Sequence, residues 1–230
     1  MRRPQSRPYS RIRALPASLP GLLLATQNPG NVAGRPTRRV GLGSILFGKK
    51  KLKGANLDRL FALSTSAVTL DTELGLKPSG AAATVFKTLS AGEFRQAEQD
   101  IDELLGVAAR DTGSEVRRRT DKYGFEWIVV RDKDFEDLVT TVHLVSSELQ
   151  ARGFGGQLLV ADFAFAGGEQ TTYLIYGFKT GTWWPFVPTG EGQERDNAAE
   201  MRLKSVLEKE LPIEPDLTRW LALFDPPLGE

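Results

Sequence analysis

The chain has no cysteine and one histidine, His143. The first absence excludes structural disulfides, thiolate metal sites and a thiol nucleophile. The second excludes a metal centre built from two or three histidines of one chain. No run reaches the roughly 18 unbroken apolar residues that a membrane-spanning helix needs. Acid is missing from one long stretch. Residues 1–53 hold eight arginines and four lysines, and the first carboxylate is Asp58. That stretch carries +12; the 30 basic and 29 acidic residues of the whole chain leave −11 for residues 54–230. What is present is ordinary: 40% hydrophobic and 26% charged over 230 residues, enough for a substantial core.

Six of the thirteen prolines fall within residues 1–39, at 4, 8, 16, 20, 29 and 36. Proline removes a backbone donor and breaks helix, so this segment is expected to be a disordered extension. Its basic start and the run from Leu19 to Ala25 suggest a signal peptide. Pro16 and Pro20 interrupt that pattern, and no small-x-small cleavage site follows. A transit peptide suits the arginine-rich, acid-free composition better. The preferred expectation is a misplaced start, with translation beginning at Val40.

Residues 40–54 form a second segment with two readings. Leu42, Ile45, Leu46 and Phe47 make an apolar cluster, followed by Lys49, Lys50, Lys51 and Lys53. These eight residues suit a membrane-surface contact, apolar side chains in the interface and lysines at anionic headgroups. The other reading is a solvated basic linker.

Residues 55–225 read as one α+β domain. Asn56 is placed to cap a short helix, and Thr65–Leu74 suits another, stopped by Gly75. Lys77-Pro78-Ser79-Gly80 has turn chemistry. Residues 81–89 suit a strand. Helical spacing covers 93–108, 134–150 and 197–210. Residues 115–121 and 125–131 suit a hairpin about Tyr123-Gly124. Strands are expected over 157–165 and 171–179, nearly continuous in apolar character as strands buried on both faces are. Residues 182–187 suit an edge strand, because Pro185 cannot serve in a central one. Short turns between consecutive strands imply a mainly antiparallel sheet of five to six strands with helices packed on it.

Few residues invite chemistry. His143 lies at the edge of its helix stripe, with Ser146 and Ser147 one turn on, which reads as a boundary histidine rather than a base. Gly153, Gly155 and Gly156 follow a helix, whereas a phosphate loop precedes one. Asp162 interrupts an apolar strand and needs a partner, Lys179 or Arg195. Around Asp162, Lys179, Arg195 and His143 an uncharacterised enzyme site is one alternative.

Residues 177–200 are the densest polar-aromatic stretch. Lys179, Trp183, Trp184, Phe186, Arg195 and Asp196 form a candidate interaction surface, since tryptophan and arginine dominate interface energetics. On an extended strand one tryptophan should enter the core and the other face outward. The competing reading is structural: Asp196 or Asn197 caps a helix, and Glu200 completes a capping box if Asn197 is the cap. Val116-Arg117-Arg118-Arg119 is a basic patch, but the −11 of residues 54–230 opposes nucleic acid. Nothing in the residues points to a cofactor or a metal.

The stretches ANLDRLFAL (55–63), DKYGFEWIVVRD (121–132), VHLVSSELQARGFGGQLL (142–159), FKTGTWWPFVP (178–188), ERDNAAE (194–200) and LPIEPDLTRW (211–220) carry a family resemblance. From about Gly41 to Leu228 the chain resembles the actinobacterial PspAB proteins, the PspA-associated family. Where that family places a basic pair before Gly-Thr-aromatic-aromatic-Pro-Phe, this chain has Lys179 and then Thr180. The resemblance implies an accessory of PspA-type membrane remodelling in the envelope (phage shock) stress response. It implies a PspA-like or other stress-response partner and no catalytic residues; a cytoplasmic location is expected, and the basic segment before the domain would bring the chain to the inner membrane face. A non-enzymatic adaptor is therefore the leading expectation, and a chaperone-like module offering a strand edge is another alternative.

Overall fold

The computed structural model describes residues 56–87, 91–168, 170–190 and 192–228. The extension 1–39 and the segment 40–54, with all eight of its membrane-contact candidates, lie outside them.

The described chain enters through a 3-10 turn, Leu57–Phe61, that runs directly into helix α1, Ala62–Leu74. Asn56 makes no capping hydrogen bond. The two expected helices are thus one, because no glycine or proline interrupts residues 57–74. Strand β1, Lys77–Lys87, follows, then helix α2, Ala91–Thr112. Strands β2, Glu115–Thr120, and β3, Phe125–Arg131, form the expected hairpin. Helix α3, Phe135–Ala151, precedes strands β4, Leu158–Ala166, β5, Thr172–Gly177, and β6, Thr182–Phe186. Helix α4, Asn197–Leu207, is the last α-helix described.

The six strands form one antiparallel sheet in the order β2-β3-β1-β4-β5-β6. The fold is α+β, as the strand spacing implied. The expected turn at Lys77–Gly80 is instead the start of β1. Its ladder to β4 slips between Pro78 and Ala82, and Gly80 sits there at φ 79°. A side chain at Gly80 would put its Cβ 2.7 Å from the Asp132 carbonyl oxygen. Turn residues are accommodated in a strand by a bulge.

Alternation along the strands creates two buried faces. The first carries Ala82, Phe86, Ile128, Val130, Phe163, Leu174 and Trp183. The buried side chains of all four helices join this face. In α3 the stripe Leu138, Val139, Val142, Val145 and Leu149 is wholly buried, each contributing about 1.5–3 kcal/mol of transfer energy. Asp134 starts that helix by accepting the Glu136 and Asp137 N–H groups. Gly153 follows its end, as the glycine spacing implied.

The second face carries Ala81, Ala83, Val85, Trp127, Val129, Val160, Ala164, Ile175, Trp184 and Phe186. Among the described residues no α-helix covers it. Residues 213–228 do so, an irregular strap with one 3-10 turn at Leu217–Arg219. Trp220 and Leu228 are its buried anchors, with Ile213, Leu223 and Phe224 packed beside them.

Candidate functional site

The β5–β6 hairpin pairs Ile175 with Trp184 and Tyr176 with Trp183. Consecutive strand residues point to opposite faces, so the two indoles part. Trp183 enters the helix-side core, 4.9 Å from the Tyr176 ring and 5.9 Å from that of Phe163. Trp184 faces the other way, as expected, but it is not exposed: only 3% of it is accessible. Its ring lies against Gly177, where a Cβ would come within 2.9 Å of it, and its Nε1 donates to the Leu221 carbonyl at 3.0 Å. The expectation of an outward tryptophan is corrected by the strap, which turns the second face into core. Phe186 is fully buried for the same reason, packed edge-on to Phe224 at 5.1 Å.

Two polar members of the expected surface, Arg195 and Asp196, are occupied internally. Arg195 donates from Nε to both Glu200 carboxylate oxygens, at 2.9 and 3.0 Å, and from Nη1 to the Trp220 carbonyl at 3.0 Å. Its guanidinium lies 5.2 Å above the Phe186 ring. Glu200 is 1% exposed and also accepts the Val187 N–H at 3.0 Å. One ion pair thereby fastens the 187–196 loop, α4 and the strap to each other. Glu200 is the residue that sequence reasoning undervalues. Its carboxylate is spent on Arg195 and Val187, and Asp196 caps α4 by accepting the Ala199 N–H at 2.9 Å. Lys179 alone of the six candidates is exposed, in the turn between β5 and β6.

Asp162 lies on the second face, paired across the sheet with Ala83 and Ile175. It is fully buried, and neither carboxyl oxygen has a hydrogen-bond partner. Desolvation raises its pKa to about 8; the Phe163 N–H offsets part of the rise without reaching hydrogen-bond geometry. At neutral pH it is therefore a protonated acid. Neither Lys179 nor Arg195 is its partner, which corrects both expected pairings: the first is in solvent, the second is held by Glu200. Tyr173, also on this face, has its phenol pushed up to about 12, by burial first and then by the proximity of Asp162.

His143 sits on α3, which packs on the first face. Its Nε2 lies 3.5 Å from an Asp58 carboxylate oxygen, and its ring is 4.7 Å from that of Phe61. Ser146 is buried and bonded to Thr84 and to the Val142 carbonyl, so it offers no nucleophile. His143 and Asp162 lie on opposite sides of the sheet. The enzyme alternative built on Asp162, Lys179, Arg195 and His143 therefore loses its site, because the four do not meet. Among the described residues no cluster of three or more acidic or histidine side chains is placed to hold a metal ion.

The described surface carries shallow depressions. One of about 350 Å³ lies among Leu74, Gly167, Thr172, Asp196 and Arg202. Another of about 580 Å³ lies among Ser79, Gly80, Glu115, Arg131 and Lys133, next to the β2 edge of the sheet.

The family model of PspA associated protein B, PspAB, matches residues 40–228. The chain belongs to the PspAB family. No curated protein and no solved structure matches it. A PspAB chain has, by its family, a role related to PspA. In this member no described helix is long and apolar enough to cross a membrane. The family match begins at Val40, so it includes the basic segment and the strap.

Proposed function

We propose that this PspAB chain is a non-enzymatic adaptor, engaged by a PspA-like protein at the inner face of the membrane during envelope stress. The observation that carries the reading is the family match over residues 40–228. The scatter of Asp162, Lys179, Arg195 and His143 supports it, since a site needs its groups within reach of one another. The lysine-rich stretch 49–53 supports a peripheral place beside anionic lipid.

The test is affinity capture of the tagged full-length chain from its own cells, with and without the PspA-like protein. That protein is expected in the first eluate, together with partners that vanish from the second. Identical eluates lacking any PspA-like protein would remove the adaptor reading.

A further inference from the structure

An antiparallel sheet has two edges, and here they differ. The β6 edge is covered: Trp183 donates its N–H to the Pro212 carbonyl, and Glu214 returns a bond to the Trp183 carbonyl. The β2 edge has no such cover among the described residues, since β2 pairs with β3 alone. Its six residues run in unbroken register from Glu115↔Arg131 to Thr120↔Glu126, without glycine or proline.

The bonding phase can be read from the hairpin. Asp121 donates to the Phe125 carbonyl. Antiparallel pairs alternate between bonded and non-bonded. Residues 119 and 117 are then the bonded ones, and the N–H and C=O of Val116 and Thr120 point away from β3.

The edge is also strongly cationic. Arg117 and Arg119 project to the same face, with Arg131 of β3 beside them and Pro227 of the strap closing the depression between them. Arg117 reaches Glu115, whereas Arg119 has no ion-pair partner among the described residues. These arginines stand out on a stretch, residues 54–230, that sums to −11 with them included.

We propose that the β2 edge is a docking strand for an extended acidic segment of a partner protein. The segment extends the sheet by one strand through the outward backbone groups of β2. Its carboxylates on one face meet Arg117 and Arg119.

A second copy of this chain is a poor occupant. Two β2 strands paired antiparallel set arginine against arginine in every register that keeps most of the strand, and like charges opposite each other destabilise. The arginines therefore block self-pairing, the usual hazard of an edge, while selecting an acidic strand. A nucleic acid or an anionic membrane would use the charge but not the ladder. The inference goes beyond the PspA reading, because it specifies the chemistry of the segment whatever protein carries it.

The experiment uses the full-length chain and a labelled short peptide alternating glutamate and valine. Fluorescence anisotropy is measured, with backbone hydrogen exchange read at residues 115–121. The expected result is saturable binding, weakened by salt, with slowed exchange at Val116 and Thr120. The same peptide with lysine for glutamate should not bind. Methylating alternate backbone nitrogens of the peptide should cost about tenfold, as should Thr120→Pro, which removes an outward N–H. The double variant Arg117→Glu/Arg119→Glu should lose at least as much. Should its melting temperature fall, Arg117→Gln/Arg119→Gln serves in its place. No binding by the wild-type chain overturns the proposal. So does undiminished binding of the methylated peptide, which would mean a surface for polyanions in general. So does binding indifferent to both arginine variants, which would place it elsewhere.

Discussion

Asp162 shows what one buried carboxyl can impose on a whole chain. Its pKa of about 8 lies above the ordinary 3.8, so the native state holds a proton that the unfolded chain has lost over that interval. The contribution of Asp162 to stability then falls as pH rises from about 4 to about 8, and levels off above it. A tenfold change in proton affinity corresponds to about 1.4 kcal/mol, so the total is on the order of several kcal/mol. Asp162→Asn abolishes the titration. Urea midpoints from pH 5 to 9 should show wild type losing ground steadily against the variant, with the gap widest at pH 9. Parallel curves would mean that Asp162 does not titrate in this range. The tryptophans make a second residue-scale case. With both indoles buried, Trp183→Ala and Trp184→Ala should each destabilise by about 3–5 kcal/mol in thermal or urea melts. A Trp184 variant as stable as wild type would show that the strap does not seal that face.

Among the elements, the strap sets the limit on what the residues reveal. The helices announced themselves: the α3 stripe and the alternation of β3 are periodic, and periodicity is what sequence displays. The near-continuous apolar character of β4 and β5 rightly implied two buried faces. What buries the second face did not show, because residues 213–228 have no period at all. The usable signal was Trp220, Leu223, Phe224 and Leu228 in a proline-bearing stretch that has little reason to be so apolar unless it lies on something. Pro78 and Gly80 misled for a related reason, since a bulge and a turn use the same residues. The strap bears on the candidate surface too: of Lys179, Trp183, Trp184, Phe186, Arg195 and Asp196, one tryptophan is expected to face water, yet Trp183, Trp184 and Phe186 are all buried. Trp184 and Phe186 meet the strap at Leu221 and Phe224, and Arg195 is held by Glu200. Deleting residues 221–228 should uncover Trp184 and Phe186. The shortened chain is expected to bind a hydrophobic dye in its native state and to melt markedly lower. Unchanged dye binding and melting would make the strap a passive covering.

At the scale of the molecule, charge is divided between two regions: +12 over residues 1–53 and −11 over the rest. A net charge of +1 hides that division. If the stretch 40–54 meets anionic lipid, the full-length chain should sediment with anionic vesicles and release with salt, as screening shortens to about 8 Å at physiological strength. Replacing Lys49, Lys50, Lys51 and Lys53 by glutamine should remove most of that binding, while neutral vesicles bind neither form. Sedimentation unaffected by the four replacements would assign the contact to another part of the chain.

Synthesis runs from the amino end, so every strand of the sheet is made before the strap that closes its second face. During that interval Val129, Ile175, Trp184 and Phe186 lack the cover that the strap gives them among the described residues. A nascent molecule therefore presents a broad apolar surface that the finished one does not, and the arginines of β2 stand at the border of it. Chaperones that hold such surfaces have their opening in that window, and it closes when Trp220, Phe224 and Leu228 arrive.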